Sequence, residues 1–428
     1  MRLAGTVKTA PGTSTSSSDV LLLCQHFYPE LISTGIHMTE IAVALAELGW
    51  RIEVICARPT LSEFSEDAPS SIEYKGVSVR RVGAFGTHWS GLISRAAFGV
   101  SYSLSTLFRV IKDGRNAKGI LITTNPPFLG MVGLLTSWLL RIPYVLIVHD
   151  VYPDIVVRLG VLHERALATR VWGWLTTAIL NGAAATIVIG RDMAALIEPR
   201  LHDGKRRRMA VIPNWSDTGS VWPVPPDQNP LRRHDGKLIV QYSGRMARTH
   251  NLEPLIDAAE LLRAEPVVFQ FIGEGAKKRQ LQDTVRRRGL TNVEFLPYQP
   301  MDRLAESLSS ADLGVVCLGK EFTGMSVPSK TYGLMAAAKP ILAFVDRQSE
   351  IGLMLKEQDC GFVLPEPTAE SVAAAIRELL SSPDRRRALA ENGYRAFVDK
   401  YTLTRAAAGY DAVLRTAFLA ENRLGKDE

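Results

Sequence analysis

Four side chains that carry or can take a positive charge stand out by where they fall in the chain. Arg245, Arg248 and His250 come directly after the apolar run KLIVQYSG, and Lys330 follows the extended VPS of GMSVPSKTYGLMAAAKP. Guanidinium forks and an ammonium favour one kind of ligand, a phosphate or diphosphate. Ser329, just before the lysine, has the hydroxyl that caps a helix start, and free amides there favour the same anion. A lysine in a first helical turn opposes the helix dipole. It makes sense if the anion arrives as a ligand. A second constellation, His149-Asp150, closes the run PYVLIVHD. An imidazole beside a carboxylate at a strand end suits a catalytic or binding pair, and also a structural hydrogen bond. The GEG turn Gly273-Glu274-Gly275 follows VVFQFIG, and Gly35 follows the first strand, where a glycine lets backbone approach a ligand closely.

Such residues work together only if strand ends are brought side by side, because in open α/β sheets ligands bind beyond the carboxyl ends of the strands. The spacing predicts strands at VLLLCQHF (20–27), RIEVICA (51–57), GILITTNP (119–126), PYVLIVHD (143–150), AATIVIG (184–190) and MAVIPN (209–214), with helical stretches between them. The proline-rich and polar stretch 216–236 has a linker composition. The alternation then restarts at 237–244, 267–273, 293–298, 312–318, 340–345 and 361–365. Two successive arrays predict an α/β chain of two Rossmann-like, doubly wound domains facing a cleft, 19–215 and 237–400. Residues 1–18 read as a disordered tail. The stretch from 369 to about 424 reads as one long terminal clamp, with 401–428 packing back on the first domain.

The chain has 428 residues, a net charge of +6 and basic clusters at 205–208, 286–288 and 385–387. These read first as solvated faces and second as contacts for an anionic membrane surface. No aromatic-rich strand or recognition-helix motif accompanies them, which argues against nucleic acid. Cys24, Cys56, Cys317 and Cys360 lie far apart without a CxxC, which suits small core residues in a reducing compartment. No apolar run reaches the ~20 residues of a spanning helix, so a cytosolic location is expected. The stretch 90–111, apolar and aromatic but punctuated by Arg95 and Arg109, reads either as a core-packing helix or as a surface for a lipid headgroup boundary. A Walker lysine motif, GxGxxG after the first strand, HExxH and GxSxG are all missing. Their absence argues against P-loop phosphoryl transfer, a standard dinucleotide site, a zincin and an elbow hydrolase.

Six segments in order, HFYPELISTGIHMTEIAVALAELGW, VHDVYPD, VIPNWSD, YSGRMARTHNLEPLIDAAELL, FIGEGAKKRQLQ and VPSKTYGLMAAAKPILA, resemble glycosyltransferase family four, a retaining family of the GT-B fold. The likeness runs nearly end to end and is nearest the colanic-acid and O-antigen exopolysaccharide branch. It implies a second half that grips a nucleotide-diphosphate sugar and a first half that takes a lipid-linked or saccharide acceptor at the cytoplasmic face of the inner membrane. Arg245, Arg248 and Lys330 would meet the phosphates, with Ser329 at the same helix start. Gly273, Glu274 and Gly275 would shape the nucleotide pocket, and Gly35 would let the first loop approach the diphosphate. His149 would sit beside the donor sugar, with Asp150 orienting it or meeting the acceptor. No metal and no resident cofactor are implied. Two departures bear on the donor. The family's two glutamates fall at Met325 and Gly333, with Glu321 the nearest substitute, and His250 stands where a lysine is expected. A sugar-nucleotide epimerase and a catalytically silent scaffold are the alternatives.

Overall fold

The computed structural model describes residues 18–30, 32–59, 68–84, 92–234, 236–247 and 249–419. The expected tail, apart from Ser18, and Arg248 lie outside these residues. The chain divides into two units.

The first unit is built on β1 (Val20–Leu23), α1 (Ser33–Glu47), β2 (Ile52–Ala57), β3 (Ser71–Tyr74), β4 (Val77–Val82), α2 (Leu92–Asp113), β5 (Gly119–Thr123), α3 (Gly130–Leu140) and β6 (Tyr144–Val148). It continues with α4 (Asp154–Arg158), α5 (Leu167–Gly182), β7 (Ala185–Val188), α6 (Arg191–Ile197), α7 (Asp203–Arg206) and β8 (Met209–Val211). The strand order is β3-β4-β2-β1-β5-β6-β7-β8, and only β3 and β4 pair antiparallel. β1, β5 and β6 are buried throughout, as strands covered on both faces must be. The β3–β4 hairpin, which the reading of apolar runs does not contain, turns at Lys75 and Gly76, both at positive φ. Its strands alternate buried and partly exposed residues, a weaker signal than a continuous apolar run.

The second unit carries β9 (Leu238–Ser243), α8 (Glu253–Leu261), β10 (Val267–Ile272), α9 (Lys278–Arg288), β11 (Val293–Leu296), α10 (Leu304–Ser309) and β12 (Leu313–Cys317). It is completed by α11 (Lys330–Ala336), β13 (Ile341–Phe344), α12 (Glu350–Gln358), β14 (Gly361–Val363), α13 (Ala369–Ser381) and α14 (Pro383–Lys400). The sheet is parallel, in the order β11-β10-β9-β12-β13-β14. Residues 214–402 and the short stretch Gly190–Asp192 group with this unit. The proline-rich stretch is tied to α10: Val224 N–H donates to Ser309 Oγ, and Asn229 Nδ2 donates to the Glu306 carbonyl.

The terminal clamp is three helices, not one. Ser382 leaves the helical region at φ −128°, ψ 75°, and Pro383 opens α14. Proline disfavours helical backbone in the residue before it and is tolerated in a first turn, so the break is local. α13 packs on α8 and α14 on α11, within the second unit. The last helix, α15 (Leu403–Leu419), packs on α1 in the first unit, where Trp50 Nε1 donates to Asp411 at 2.7 Å. All four cysteines are free and buried. Among the described residues no helix is long and apolar enough to cross a membrane.

Candidate active site

In the second unit the parallel sheet brings the C-terminal ends of β9, β10 and β12 side by side. The turns after β9 and β10 interlock through their backbones. Gly244 N–H donates to the Ile272 carbonyl at 2.9 Å, and Met246 N–H to the Glu274 carbonyl at 2.8 Å. Gly244, Gly273 and Gly275 adopt φ of 137°, 127° and 152°, which side chains rarely take. A Cβ on Gly273 would lie 2.3 Å from the Gly244 carbonyl oxygen, and one on Gly275 2.4 Å from that of Met246. Glycine is required here to let two turns touch.

Lys330 reaches into this floor from the first turn of α11. Its Nζ lies 3.9 Å from the Tyr242 ring centroid, and a Cβ on Gly244 would sit 2.9 Å from it. The nitrogen is buried and has no hydrogen-bond acceptor among the described residues. Burial pushes its pKa down to about 8, so near neutral pH it is still mainly an ammonium, held only by an aromatic face. Tyr242, which the sequence reading passes over, is the second half of this device. Its hydroxyl donates to the Arg245 carbonyl at 2.7 Å and lies 2.6 Å from His250 Nδ1. Burial, with Lys330 nearby, pushes the His250 pKa down to about 4. The structure therefore corrects His250: it is a neutral spacer, not a third cation. Arg245 is exposed, with its carbonyl used structurally.

Of the remaining residues of this group, Glu274 turns its carboxylate back to Lys278 in an ion pair. Ser329 stands at the start of α11 at φ −66°, ψ −23°, with no side-chain cap hydrogen bond. The expected hydroxyl cap is not made, because an N-cap side chain needs extended backbone to reach the amides ahead of it. Two acids outside the expected set are buried or bonded nearby. Glu350, in the first turn of α12, accepts from Arg191 N–H at 2.7 Å and from its guanidinium at 3.0 and 3.1 Å. Asp192 accepts from Gly324 N–H at 3.1 Å.

In the first unit His149 and Asp150 follow β6 directly, and both backbone N–H groups point to Thr124 Oγ1, at 3.2 and 3.4 Å. His149 is buried and its Nδ1 has no hydrogen-bond partner among the described residues. Burial, with His37 behind it, pushes its pKa down to about 3, so this ring is neutral and offers a hydrogen bond without a charge. Gly35 lies buried in the first turn of α1, where a Cβ would be 3.0 Å from the Glu30 carbonyl and 3.1 Å from His26 Cβ. The close approach it permits is to its own loop.

Two family models match the chain, a glycosyl transferase 4-like domain over residues 34–215 and glycosyl transferases group 1 over residues 225–396. A probable glycosyltransferase, WbjE of Pseudomonas aeruginosa, is 33% identical over 283 residues, covering 64% of this chain and 69% of that protein. The chain belongs to the family-four glycosyltransferases. This glycosyltransferase is also 25% identical over 377 residues to the putative colanic acid biosynthesis glycosyl transferase WcaI of Escherichia coli, covering 85% and 92% of the two chains. Among solved structures, sucrose-phosphate synthase from Thermosynechococcus elongatus superposes with a TM-score of 0.78 at 19% identity, covering 94% of this chain and 99% of that one. Anabaena HepE, solved with UDP-glucose, gives 0.69 at 16% identity over 93% and 99%. The fold is GT-B.

The resemblance places the family's two glutamates at Met325 and Gly333, and neither residue is acidic. Met325 is buried, and a Cβ on Gly333 would lie 3.2 Å from Leu308 Cδ1. A carboxylate at Met325 would be buried, and one at half-buried Gly333 would start against an apolar side chain. Glu321, the nearest alternative, is exposed in the single turn Lys320–Phe322, and a Cβ on Gly319 would sit 2.6 Å from its Oε1.

Proposed function

We propose that this glycosyltransferase moves a hexosyl unit from a nucleotide-diphosphate sugar to a lipid-linked or saccharide acceptor, with retention and without a divalent metal. Its setting in this reading is bacterial exopolysaccharide or O-antigen assembly at the cytoplasmic face of the inner membrane. The observation that carries the reading is Lys330, a buried ammonium without an acceptor, set over an interlocked glycine floor. A buried charge costs several kcal/mol unless something pairs with it, and an anionic ligand supplies the pair. The nucleotide sugar seen with HepE is of that class.

In the reaction the bond between the sugar C1 and the diphosphate oxygen breaks and negative charge gathers on the leaving diphosphate. Lys330, with Arg245 and Arg248, stabilises that charge, which grows only as the bond breaks and so lowers the barrier. The acceptor oxygen attacks C1 on the face the diphosphate leaves. The departing phosphate oxygen takes the acceptor proton, and the products are a glycoside and a nucleoside diphosphate. His149, as a neutral ring, and the Asp150 carboxylate serve the sugar and acceptor, and Glu321 is assigned to the donor sugar. The nucleotide sugar is a substrate, and no resident cofactor takes part.

The test is a panel of nucleotide sugars with wild type, Lys330→Ala and Arg248→Ala, read as nucleoside diphosphate release. Unchanged turnover in both variants would remove the proposal. Conversion of the donor without acceptor would mark an epimerase, and nucleotide binding without turnover across the panel a scaffold.

A further inference from the structure

The first unit has a face whose composition the reaction does not explain. α2, α3 and α5 lie in a row, α2 packed on α3 and α3 on α5. Each turns large apolar side chains outward: Leu104 and Phe108 from α2, Trp138 from α3, Leu167, Val171 and Trp174 from α5. Phe108 is 70% exposed, Trp138 78% and Trp174 69%. These are spaced as stripes, at i, i+4 in α2 and i, i+4, i+7 in α5. Single exposed apolar residues are ordinary, but two apolar stripes with Trp138 of the intervening helix between them mark a contact surface.

Charge selects the occupant. Arg170 is the only charged residue in α3 and α5. Around them Arg141, Arg158, Arg165 and Arg115 are exposed, against exposed Glu164 and an Asp113 already paired with Arg109. In a symmetric contact between two copies this basic rim would meet itself. Tryptophans standing out of an apolar face whose helices are flanked by exposed arginines instead match the boundary of a bilayer with anionic headgroups. We propose that the α2–α3–α5 face docks on an anionic lipid surface, with Trp138 and Trp174 as its anchors. The site behind the face gives the docking a purpose: a cavity bounded by Pro127 and Gly130 near α3 and by Ile179 and Leu180 of α5 has Asp150 in its wall. A bilayer held there keeps a lipid-linked acceptor near that carboxylate. This extends the expectation for residues 90–111, which concerned one helix, to a three-helix surface.

The test uses the full chain and vesicles of phosphatidylglycerol with phosphatidylcholine, against pure phosphatidylcholine, and needs no sugar donor. It can therefore fail while the transfer reading stands, and the reverse. Binding is expected on the anionic vesicles and to weaken with salt. The double variant Trp138→Ser/Trp174→Ser is expected to lose at least about tenfold in partitioning, since affinity follows buried apolar area. Arg141→Glu/Arg170→Glu is expected to lose at least about thirtyfold, the effect of neutralising two arginines, since it reverses both charges. Brominated phosphatidylglycerol is expected to quench wild-type tryptophan fluorescence, a reading that needs no variant to fold. Wild-type protein that ignores anionic vesicles would overturn the proposal, as would a tryptophan double variant that folds and binds them like wild type. A concentration-dependent dimer that this variant turns into monomer would assign the face to a second copy.

Discussion

Lys330 and His149 are a matched pair of opposites. Each is a basic nitrogen at a strand-end site, buried and without a hydrogen-bond partner, one in the second unit and one in the first. Burial lowers both pKa values, to about 8 for the lysine and about 3 for the histidine. Because the ordinary values differ, a comparable cost leaves one group charged at neutral pH and the other uncharged. Similar burial thus yields a cation, which the proposed reaction sets against a departing diphosphate, and a neutral ring, which it sets beside the sugar. The second unit holds a buried charge that its described residues leave without an acceptor. The first holds hydrogen-bonding capacity that excludes charge.

The largest effect should come from breaking the charged member. Lys330→Met keeps the length and apolar stem, and is expected to lower sugar transfer by about 10²–10³-fold, the cost of removing one stabilising donor. Folding stability should stay level or rise, because an uncompensated buried ammonium disappears. Urea unfolding measured beside turnover checks both halves, and a variant that is clearly less stable would mean that the ammonium is already paired. The next effect is on pH. A bound anion restores the lysine to its charged form, so nucleoside diphosphate binding should take up a proton above about pH 8. Affinity should fall there, by roughly tenfold per pH unit at the limit. Calorimetry in buffers of different ionisation enthalpy reads the uptake directly, and its absence at pH 9 would show that another group carries the charge.

The histidine gives the counterpart in acid. Its folded pKa lies below the ordinary value near 6.5, so unfolding takes up a proton as pH falls from about 6.5 towards about 3. Stability is complete above that window and lost within it, by up to about 1.4 kcal/mol per pH unit from this group. His149→Leu should flatten the acid limb of a stability–pH curve by that slope and leave the alkaline limb in place. A curve that keeps its full acid slope would mean that His149 is protonated in the folded chain.

Much of this contrast is legible in the letters. Continuous apolar runs such as YVLIV and VVFQFI are buried strands, and the residues just beyond them, His149 and Gly273, stand at strand ends as the alternation requires. What is not legible depends on contacts between distant segments. His250 looks like a cation in a string of basic residues, and only its burial near Lys330 and its place beside the Tyr242 hydroxyl make it neutral. Tyr242 itself reads as one more apolar strand residue, though an aromatic two positions before a strand-end glycine was the available signal. The Arg191–Glu350 pair joins residues 159 apart in the chain, beyond any local pattern. The hairpin of β3 and β4 is hidden because its half-exposed strands lack an apolar run, although Lys75-Gly76 between two alternating segments marks a tight turn.

The smallest effect sharpens the comparison within the second unit. Arg245 is exposed, and the structure uses its carbonyl, which any residue provides, to accept from Tyr242. Arg245→Ala therefore leaves the Tyr242–His250 arrangement intact and removes only a solvated guanidinium. Such charges act mainly through long-range attraction, so donor affinity should fall by about 1 kcal/mol, roughly fivefold, and become less sensitive to salt. Lys330 is shielded from bulk ions, so its contribution should persist at high salt, where that of Arg245 fades. Titrating the nucleoside diphosphate at low and high ionic strength in both variants separates the two. If Arg245→Ala proved as damaging as Lys330→Met at high salt, burial would not be what distinguishes the two cations, and charge count alone would explain the site.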